Sequence, residues 1–345
     1  MSDHSDAKAY ALTELIGECE AGDDVIVNTT AVDRALGTGG WHFVHWNLKR
    51  SELIAPGPDH IMKIRYTSLQ ADVGTEELVD PRCDDPITGI PVVVCSVHSQ
   101  VAAVAAAFAK SVPRRKLVYV MTDGASLPMA MSDLVETMKE RELISSTITA
   151  GHAFGGDVEA VTVPSALGLA VHALSADVVV VGMGPGVVGT GTDLGNTAIE
   201  VAPILDAVAA AGGVPIMCVR ASSGDPRDRH WGVSHHSVTA ARLAHCNPIV
   251  ASVPPEVADL SGVRVMEWPA PDPVPILDQA GLGHVTTMGR SVERDELFFA
   301  AACAAGQLAA HVVEHGADVT LDQLKPPTTE QSNIAISRPD HDGVS

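Results

Sequence analysis

The sequence has few aromatic residues, which limits the kind of core that it can build. Aromatic side chains make up 3% of the 345 residues, although 46% of the residues are hydrophobic. A core based on packed rings is therefore excluded, and alanine, valine, leucine and isoleucine must fill the interior. Residues of this kind suit helices packed on a parallel β-sheet.

Basic residues are also scarce. The chain carries 22 Lys and Arg against 43 Asp and Glu, and its formal net charge is −21. Such a charge argues against unspecific binding to nucleic acid or to an anionic membrane surface. We therefore expect neither nucleic acid nor a membrane among the partners.

The cysteines and the apolar runs exclude two further classes of protein. The six cysteines are scattered without a C-x-x-C pair, so we expect neither a disulfide framework nor a thiolate zinc site. The longest apolar runs, such as VVVVG, fall well short of the ~20 residues that a membrane-spanning helix needs. The chain opens with MSDHSDAKAY, which lacks the pattern of a signal peptide. The expectation is a cytoplasmic protein.

Residues 1–85 are predicted to form a small β-rich module, either a barrel or a meander. The segments VIVNTTAV (25–32), WHFVHW (41–46) and HIMKIRYTSLQ (60–70) have the composition of strands and are separated by turns rich in glycine and proline. A linker rich in proline, glycine and aspartate, VDPRCDDPITGIP (79–91), follows and marks the boundary.

Residues 86–320 are predicted to form an α/β domain. Short apolar runs alternate with helical patterns, which indicates βαβ units and a parallel, Rossmann-like sheet with helices on both faces. The strand-like runs are PVVVCS (91–96), KLVYVMT (116–122), STITAG (146–151), DVVVVGM (177–183), VPIMCVRAS (214–222) and VRVMEW (263–268). Residues 321–345 are polar and contain prolines, so they are expected to be disordered.

The polar motifs of this domain follow the predicted strands. In open α/β sheets, ligands bind beyond the carboxyl ends of the strands. The placement therefore predicts one functional rim, where the candidate catalytic residues are His98, Asp123, His152, Asp157, His235 and His236.

Three interpretations of these histidines and aspartates remain open. His152, Asp157, His235 and His236 have the ligand types of a divalent-metal site, although no H-x-x-x-H spacing links them. A metal-free site with one histidine as general acid or base is the second interpretation. The third is that each histidine has a structural role.

The glycine-rich segment after DVVVVG also has three interpretations. Residues 184–189 match the G-x-G-x-x-G fingerprint of NAD(P) and flavin sites, but the helix is expected only from about Asn196. Alternatively, the loop holds a phosphate or carboxylate through backbone N–H groups, or its glycines merely shape a turn. The candidate ligand-binding residues are Gly184, Gly186, Gly189, Thr190, Gly191, Thr192, Asn196, Arg227 and Arg229.

Arg227 and Arg229 lie in the segment GDPRDRHWGVSHHS (224–237), which follows VPIMCV. In a chain with so few basic residues, they are candidates to clamp an anion through bidentate hydrogen bonds. The alternative is local pairing with Asp225 and Asp228.

The series YTSLQ, HSQ, MTDGASLP, GHAFGGDVEAV, GMGPGVVGTGT and DPRDRHWGVSHHS resembles an uncharacterised bacterial family, largely actinobacterial, that is carried as a domain of unknown function. The resemblance covers most of residues 22–250 and implies no activity. The acidic N-terminus and the region after about residue 250 look peculiar to this chain.

The leading hypothesis is an enzyme that hydrolyses a small anionic metabolite or transfers a group from it, with a His/Asp acid–base site and a divalent metal as an optional cofactor. A nucleotide- or metabolite-binding regulatory protein is the alternative, and an NAD(P)- or flavin-dependent oxidoreductase is a third. The alanine-rich helices would be helped by a dimer interface, so a homodimer is a further expectation.

Overall fold

The computed structural model describes residues 6–36, 39–252 and 260–325. By their internal contacts the residues form two compact units, Met1–Gly74 and Thr75–Ser345. Residues 75–85, which we assigned from sequence to the β-rich module, thus belong to the second unit, because short 3₁₀ turns at Glu76–Leu78 and Pro81–Asp84 pack against the strand and helix at 158–172. Most of the predicted tail, residues 326–345, lies outside the described residues.

The first unit contains a small sheet, which confirms the predicted N-terminal β-rich module. Its elements are β1 (Lys8–Tyr10), α1 (Thr13–Ile16), β2 (Val25–Asn28), α2 (Thr30–Asp33), β3 (Trp41–Asn47), β4 (Met62–Lys63) and β5 (Ala71–Asp72). Strand β3 lies between β1, which is parallel to it, and β2, which is antiparallel. β4 and β5 pair separately as an antiparallel ribbon.

Two strands of this unit are shorter than predicted. β2 ends at Asn28, because the Asn28 side chain accepts a hydrogen bond from the backbone N–H of Thr30 at 3.0 Å and starts α2. In the segment 60–70 only Met62–Lys63 is extended. Ile64 and Tyr66 have φ values of 51° and 62°, in the left-handed region that a strand cannot use.

The second unit is built on an eight-stranded sheet in which all neighbouring strands are parallel. Its strands are β6 (Pro91–Cys95), β7 (Leu117–Thr122), β8 (Ser146–Ala150), β9 (Val158–Ala160), β10 (Val178–Met183), β11 (Val214–Cys218), β14 (Ile249–Ser252) and β15 (Arg264–Glu267), and a separate hairpin consists of β12 (Ala221–Ser222) and β13 (Gly232–Val233). The spatial order is β15-β14-β11-β6-β10-β7-β8-β9. The α/β prediction is confirmed.

Helices cover both faces of this sheet. They are α3 (His98–Ser111), α4 (Asp133–Glu140), α5 (Val163–His172), α6 (Val201–Ala210), α7 (His235–Leu243), α8 (Pro273–Gln279), α9 (Glu296–His315) and α10 (Ala317–Asp322). Helices α3, α8 and α9 pack together on one face, and α5, α6 and α7 pack on the other.

Small side chains let the two central helices of one face approach closely. A Cβ atom on Gly306 of α9 would lie 2.3 Å from the carbonyl oxygen of Val104 on α3. Only glycine fits there, and the surrounding positions of both helices are largely buried alanines. This close packing is how a core with few aromatic rings is filled.

Helix α9 is, by length and composition, apolar enough to cross a membrane, which our estimate of the longest apolar run missed. Within its most apolar window, 72% of the residues are buried inside the unit. The helix packs against α3 and against β6, β11 and β14, so its apolar character is that of a core helix.

Candidate functional site

The sheet opens at the carboxyl ends of β6, β10 and β11. The chain leaves β6 through α3 on one face and leaves its neighbour β10 through α6 on the opposite face. Connections that diverge in this way leave a crevice beyond the strand ends. The residues after β10 and β11 therefore flank the place where an α/β sheet binds its ligand.

A hairpin folds the segment after β11 back on itself, so that residues 234–237 lie beside Arg220. β12 and β13 pair, the backbone N–H of Ser234 donates to the carbonyl of Arg220 at 2.8 Å, and the backbone N–H of Arg220 donates to the hydroxyl of Ser237 at 2.8 Å. Ser234 caps α7 by accepting a hydrogen bond from the backbone N–H of His236. The hairpin thus places the first turn of α7 beside Arg220.

Three histidines meet at this point, and we call His230, His235 and His236 the histidine cluster. Their ring centroids are 5.0, 5.0 and 4.4 Å apart, and one nitrogen from each ring lies within 4.8 Å of the other two. Among the described residues, this is the group of metal-ligating side chains that converges to such a distance. His235 and His236 were predicted catalytic and metal-binding residues, and His230 lies in the same predicted segment, residues 224–237.

The rings of the cluster have distinct partners. Nδ1 of His230 lies 2.7 Å from the hydroxyl of Ser234, and Nδ1 of His235 lies 3.5 Å from a carboxylate oxygen of Asp193. The guanidinium of Arg220 donates to Nδ1 of His236 at 3.3 Å. Nε2 of His235 is buried and has no hydrogen-bond partner within the described part of the chain.

The environment keeps the cluster uncharged at neutral pH. Burial, helped by the positive charge of Arg220, lowers the pKa of His230 and of His236 to about 3. Burial also lowers the pKa of His235, against the opposing effect of Asp193. Neutral imidazoles can accept protons or ligate a metal ion.

Arg220 is a functional candidate that the sequence analysis missed. Its residue is 3% exposed, and it forms no ion pair within the described residues. Burial and the nearby Arg227 lower its pKa to about 10 against the opposing effect of Asp225 and Asp295, so it remains a cation at neutral pH. Buried arginines are usually paired with an anion. Its position directly after the run VPIMCV was a signal available in the sequence.

The glycine loop, residues 184–196, does not adopt the geometry of a dinucleotide fingerprint. A 3₁₀ turn follows it at Thr197–Glu200, and α6 begins only at Val201. A fingerprint loop opens its helix within the motif. The predicted donors Thr190, Thr192 and Asn196 bond within the loop: the two threonine hydroxyls lie 3.0 Å apart, and the Asn196 amide donates to the carbonyl of Asp193.

The glycine loop lies against the histidine segment. Gly191 has a φ of 87°, and a Cβ there would lie 3.6 Å from the guanidinium carbon of Arg229. Asp193, at the tip of the loop, contacts His235. The structure therefore brings the exposed Arg229 together with the predicted loop. The other predicted loop glycines, Gly184, Gly186 and Gly189, lie in its first half.

Arg227, by contrast, is held in a structural ion pair. It donates two hydrogen bonds of 2.8 Å to the carboxylate of Asp225, which also accepts from Arg290 at 3.1 Å. Asp225 is fully buried; although burial acts in the opposite direction, the hydrogen bonds from Arg227 hold the pKa of that carboxyl well below its ordinary value. The local-pairing interpretation therefore describes Arg227, whereas Arg229 is exposed and forms no ion pair within the described residues.

His98 has partners on both ring nitrogens. Nδ1 lies 3.1 Å from the carbonyl of Met183, and Nε2 lies 2.6 Å from the hydroxyl of Ser132. The hydroxyl of Tyr119 donates to the same carbonyl at 3.2 Å. Burial lowers the pKa of His98 to about 4. The neutral ring therefore ties the starts of α3 and α4 to the end of β10, which is a structural role.

The remaining predicted residues lie over β7, β8 and β9. Asp123 accepts a hydrogen bond from the backbone N–H of His152 at 2.9 Å. Asp157 accepts from Thr147 and pairs with Lys139. The converging group of ligands described above includes neither His152 nor Asp157, so the predicted four-residue metal set is not assembled. The reason is the order of the strands in the sheet. β8 and β9 lie at one edge, and β6, β10 and β7 separate them from β11.

Glu200 is a second candidate that the sequence analysis missed. Its carboxylate accepts a hydrogen bond from the hydroxyl of Thr122 at 2.6 Å. Burial, together with nearby Asp123, raises its pKa to about 7 despite this hydrogen bond. The 3₁₀ turn that carries it packs against α7. A glutamic acid that titrates near neutral pH is suited to proton transfer, yet its sequence context, TAIEV, resembles ordinary helix.

A family model described as a protein of unknown function, DUF3866, matches residues 8–306. The chain belongs to the DUF3866 family. This confirms the resemblance to an uncharacterised family and extends it, because the match includes the N-terminal strand and most of α9, regions that looked peculiar to this chain. No curated protein and no solved structure matches the chain.

Proposed function

We propose that the protein is an enzyme that hydrolyses a small metabolite bearing a phosphate or carboxylate, or transfers a group from it. The observation that carries the proposal is Arg220: a buried cation beside the histidine cluster that forms no direct ion pair among the described residues, although Asp225 and Asp295 favour its charge from a distance. A buried, unpaired charge is costly to a fold. An anionic ligand would supply the missing partner.

Arg229 and the glycine loop support the same assignment. The guanidinium of Arg229 is exposed at Gly191, where the backbone can approach an anion closely. A ligand between Arg220 and Arg229 would face positive charge from two sides. In a chain with a net charge of −21, such a local concentration of cations is selective for anions.

Proton transfer in this proposal is assigned to Glu200, which exchanges a proton near neutral pH. The low pKa of His230 and His236 makes their imidazoles weak bases, so they serve as neutral hydrogen-bonding or metal-binding groups. The 3₁₀ turn that carries Glu200 packs against α7, the helix that begins with His235 and His236. These groups suit hydrolysis or group transfer. They favour it over NAD(P)- or flavin-dependent redox chemistry, because the glycine loop does not have the geometry of a dinucleotide fingerprint.

Anion binding tests the proposal directly. We expect inorganic phosphate or a phosphomonoester to bind the full chain in calorimetry, and Arg229→Ala to weaken binding about tenfold or more, since a charge-assisted hydrogen bond contributes about 1.5–3 kcal/mol. Arg242→Ala is the matched control: it removes the same charge from an exposed position on α7. Equal affinities of the two variants would contradict the proposal.

Turnover separates an enzyme from a regulatory protein. A panel of phosphate esters and carboxylic esters should contain at least one compound that the wild type converts and Glu200→Gln converts much more slowly. Tight anion binding without conversion of any compound would favour the metabolite-binding alternative.

A further inference from the structure

We propose that the histidine cluster binds one divalent transition-metal ion of the zinc class, through one nitrogen from each of His230, His235 and His236. The three nitrogens already lie within 4.8 Å of one another. In a tetrahedral site with bonds near 2.1 Å, ligand nitrogens are roughly 3.4 Å apart. Small rotations of the rings would therefore bring the three nitrogens to the spacing of metal ligands.

The unpartnered nitrogen of His235 is the second observation. Nε2 is buried, and no group in the described part of the chain bonds to it. Buried polar atoms in proteins nearly always have a partner. A metal ion at the centre of the cluster would occupy this lone pair, and imidazole is a preferred ligand of zinc, cobalt, nickel and copper.

The outer nitrogens have the partners that metal-binding histidines need. The carboxylate of Asp193 faces Nδ1 of His235, and the hydroxyl of Ser234 faces Nδ1 of His230. An Nδ1–H donated outward fixes the tautomer in which Nε2 has a free lone pair. Two of the three rings therefore keep an Nε2 lone pair that a metal ion could use.

His236 has a competitor for its lone pair. A neutral imidazole has one such pair, and the N–H of Arg220 occupies it at Nδ1. An incoming ion must therefore displace the Arg220 hydrogen bond or shift the proton of the ring. The chemical use of the ion rests on the proposed function: an anion held by Arg220 would also reach the metal, which would polarise it or activate a water.

A cobalt titration tests the site without requiring a substrate. The untagged full-length chain, stripped with a chelator, should bind one Co²⁺ per chain, with visible absorption bands typical of nitrogen ligands that Zn²⁺ abolishes by displacement. His235→Ala should weaken binding about a hundredfold. Asp193→Asn should weaken it about tenfold, because outer partners tune affinity by factors of 10 to 100.

The controls exclude the competing histidine pair. His311 and His315, one turn apart on α9, have stacked rings 4.2 Å apart and are a competing place where Co²⁺ could bind. His315→Ala should leave the spectrum unchanged. Loss of binding in His315→Ala, unchanged binding in His235→Ala, or failure of the wild type to bind one equivalent would each overturn the inference. Since Asp193 is exposed, its variant keeps the test valid if His235→Ala does not fold.

The metal inference and the proposed function fail in different ways. Stoichiometric Co²⁺ binding that depends on His235, with no anion bound and no compound converted, would retain the metal site and overturn the proposed function. Anion binding and full turnover by the stripped chain, without Co²⁺ binding, would retain the function and overturn the metal site.

Discussion

His98 and His235 begin two helices at the same rim of one sheet, yet their ring nitrogens differ in how many hydrogen-bond partners they have. Both ring nitrogens of His98 have protein partners within 3.1 Å, whereas Nε2 of His235 is buried and has no partner among the described residues. Sequence position alone made them equal candidates. The difference shows that a histidine at a strand end is informative only when its unused hydrogen-bonding capacity is known.

Two arginines that follow β11, Arg227 and Arg220, show within the described residues the same contrast between a side chain with an ion-pair partner and one without. Arg227 is satisfied by the buried carboxylate of Asp225, while Arg220 is buried with no ion pair in the described residues. We expect groups that already have hydrogen-bond or ion-pair partners to contribute mainly to stability. We expect buried groups without such partners to contribute mainly to ligand binding.

The largest expected effect is a loss of stability when the buried carboxylate of Asp225 is removed. Asp225→Ala leaves Arg227 and Arg290 without their shared carboxylate, and breaking a buried ion pair in this way typically costs about 3 to 5 kcal/mol. Urea denaturation measures the loss. Asp193→Ala removes a carboxylate that is 64% exposed, and its free energy of unfolding should stay within about 0.5 kcal/mol of wild type. Equal losses in both variants would break the comparison.

The second effect compares the two histidines directly. His98→Ala removes the hydrogen bonds to Met183 and Ser132 and leaves a void at the rim, so we expect a loss of about 2 to 3 kcal/mol. His235→Ala should cost less than about 1 kcal/mol of stability, while it weakens Co²⁺ binding about a hundredfold and slows turnover. If His98→Ala abolished turnover without loss of stability, His98 would belong to the active site.

The smallest effect concerns Glu200 and depends on pH. Its folded-state pKa is raised above the ordinary 4.5 to about 7, so the folded chain binds the proton more tightly than the unfolded chain, and stability falls as pH rises from about 4.5 to 7. Glu200→Gln carries no charge and avoids this loss. We expect the variant to be more stable than wild type by about 1 to 2 kcal/mol at pH 8 and equally stable at pH 4.

Denaturation curves at the two pH values provide the measurement for Glu200. A variant that is no more stable than wild type at pH 8 would show that the carboxylate is well solvated. In that case Glu200 would titrate like an ordinary glutamate and lose its role as the proton-transfer group.

The fold was largely predictable because its signals are local. Runs such as DVVVVGM are too apolar and too short for anything but buried parallel strands, and the strands they predict are present in the second unit. The order of those strands was not predictable. β10 inserts between β6 and β7, and this pairing depends on contacts between residues about 60 to 90 positions apart.

The candidate site was predictable only in part, for the same reason. The strand-end rule correctly drew attention to the segment after β11, but it could not exclude Asp157, which lies at the far edge of the sheet. It also could not find Glu200, since its raised pKa comes from burial beside Thr122, 78 positions away in sequence.

The amino-acid sequence by itself determined the class of the fold, the scarcity of rings in its core and the end of the strands at which polar residues collect, because each follows from local composition and periodicity. Only the tertiary structure decided which of those residues are satisfied. The hairpin at 221–233 turned His230 toward His235 and His236, and Arg220 was buried without a direct ion pair to any described residue. Whether a polar group has a partner depends on neighbours that the fold, and not the sequence order, supplies.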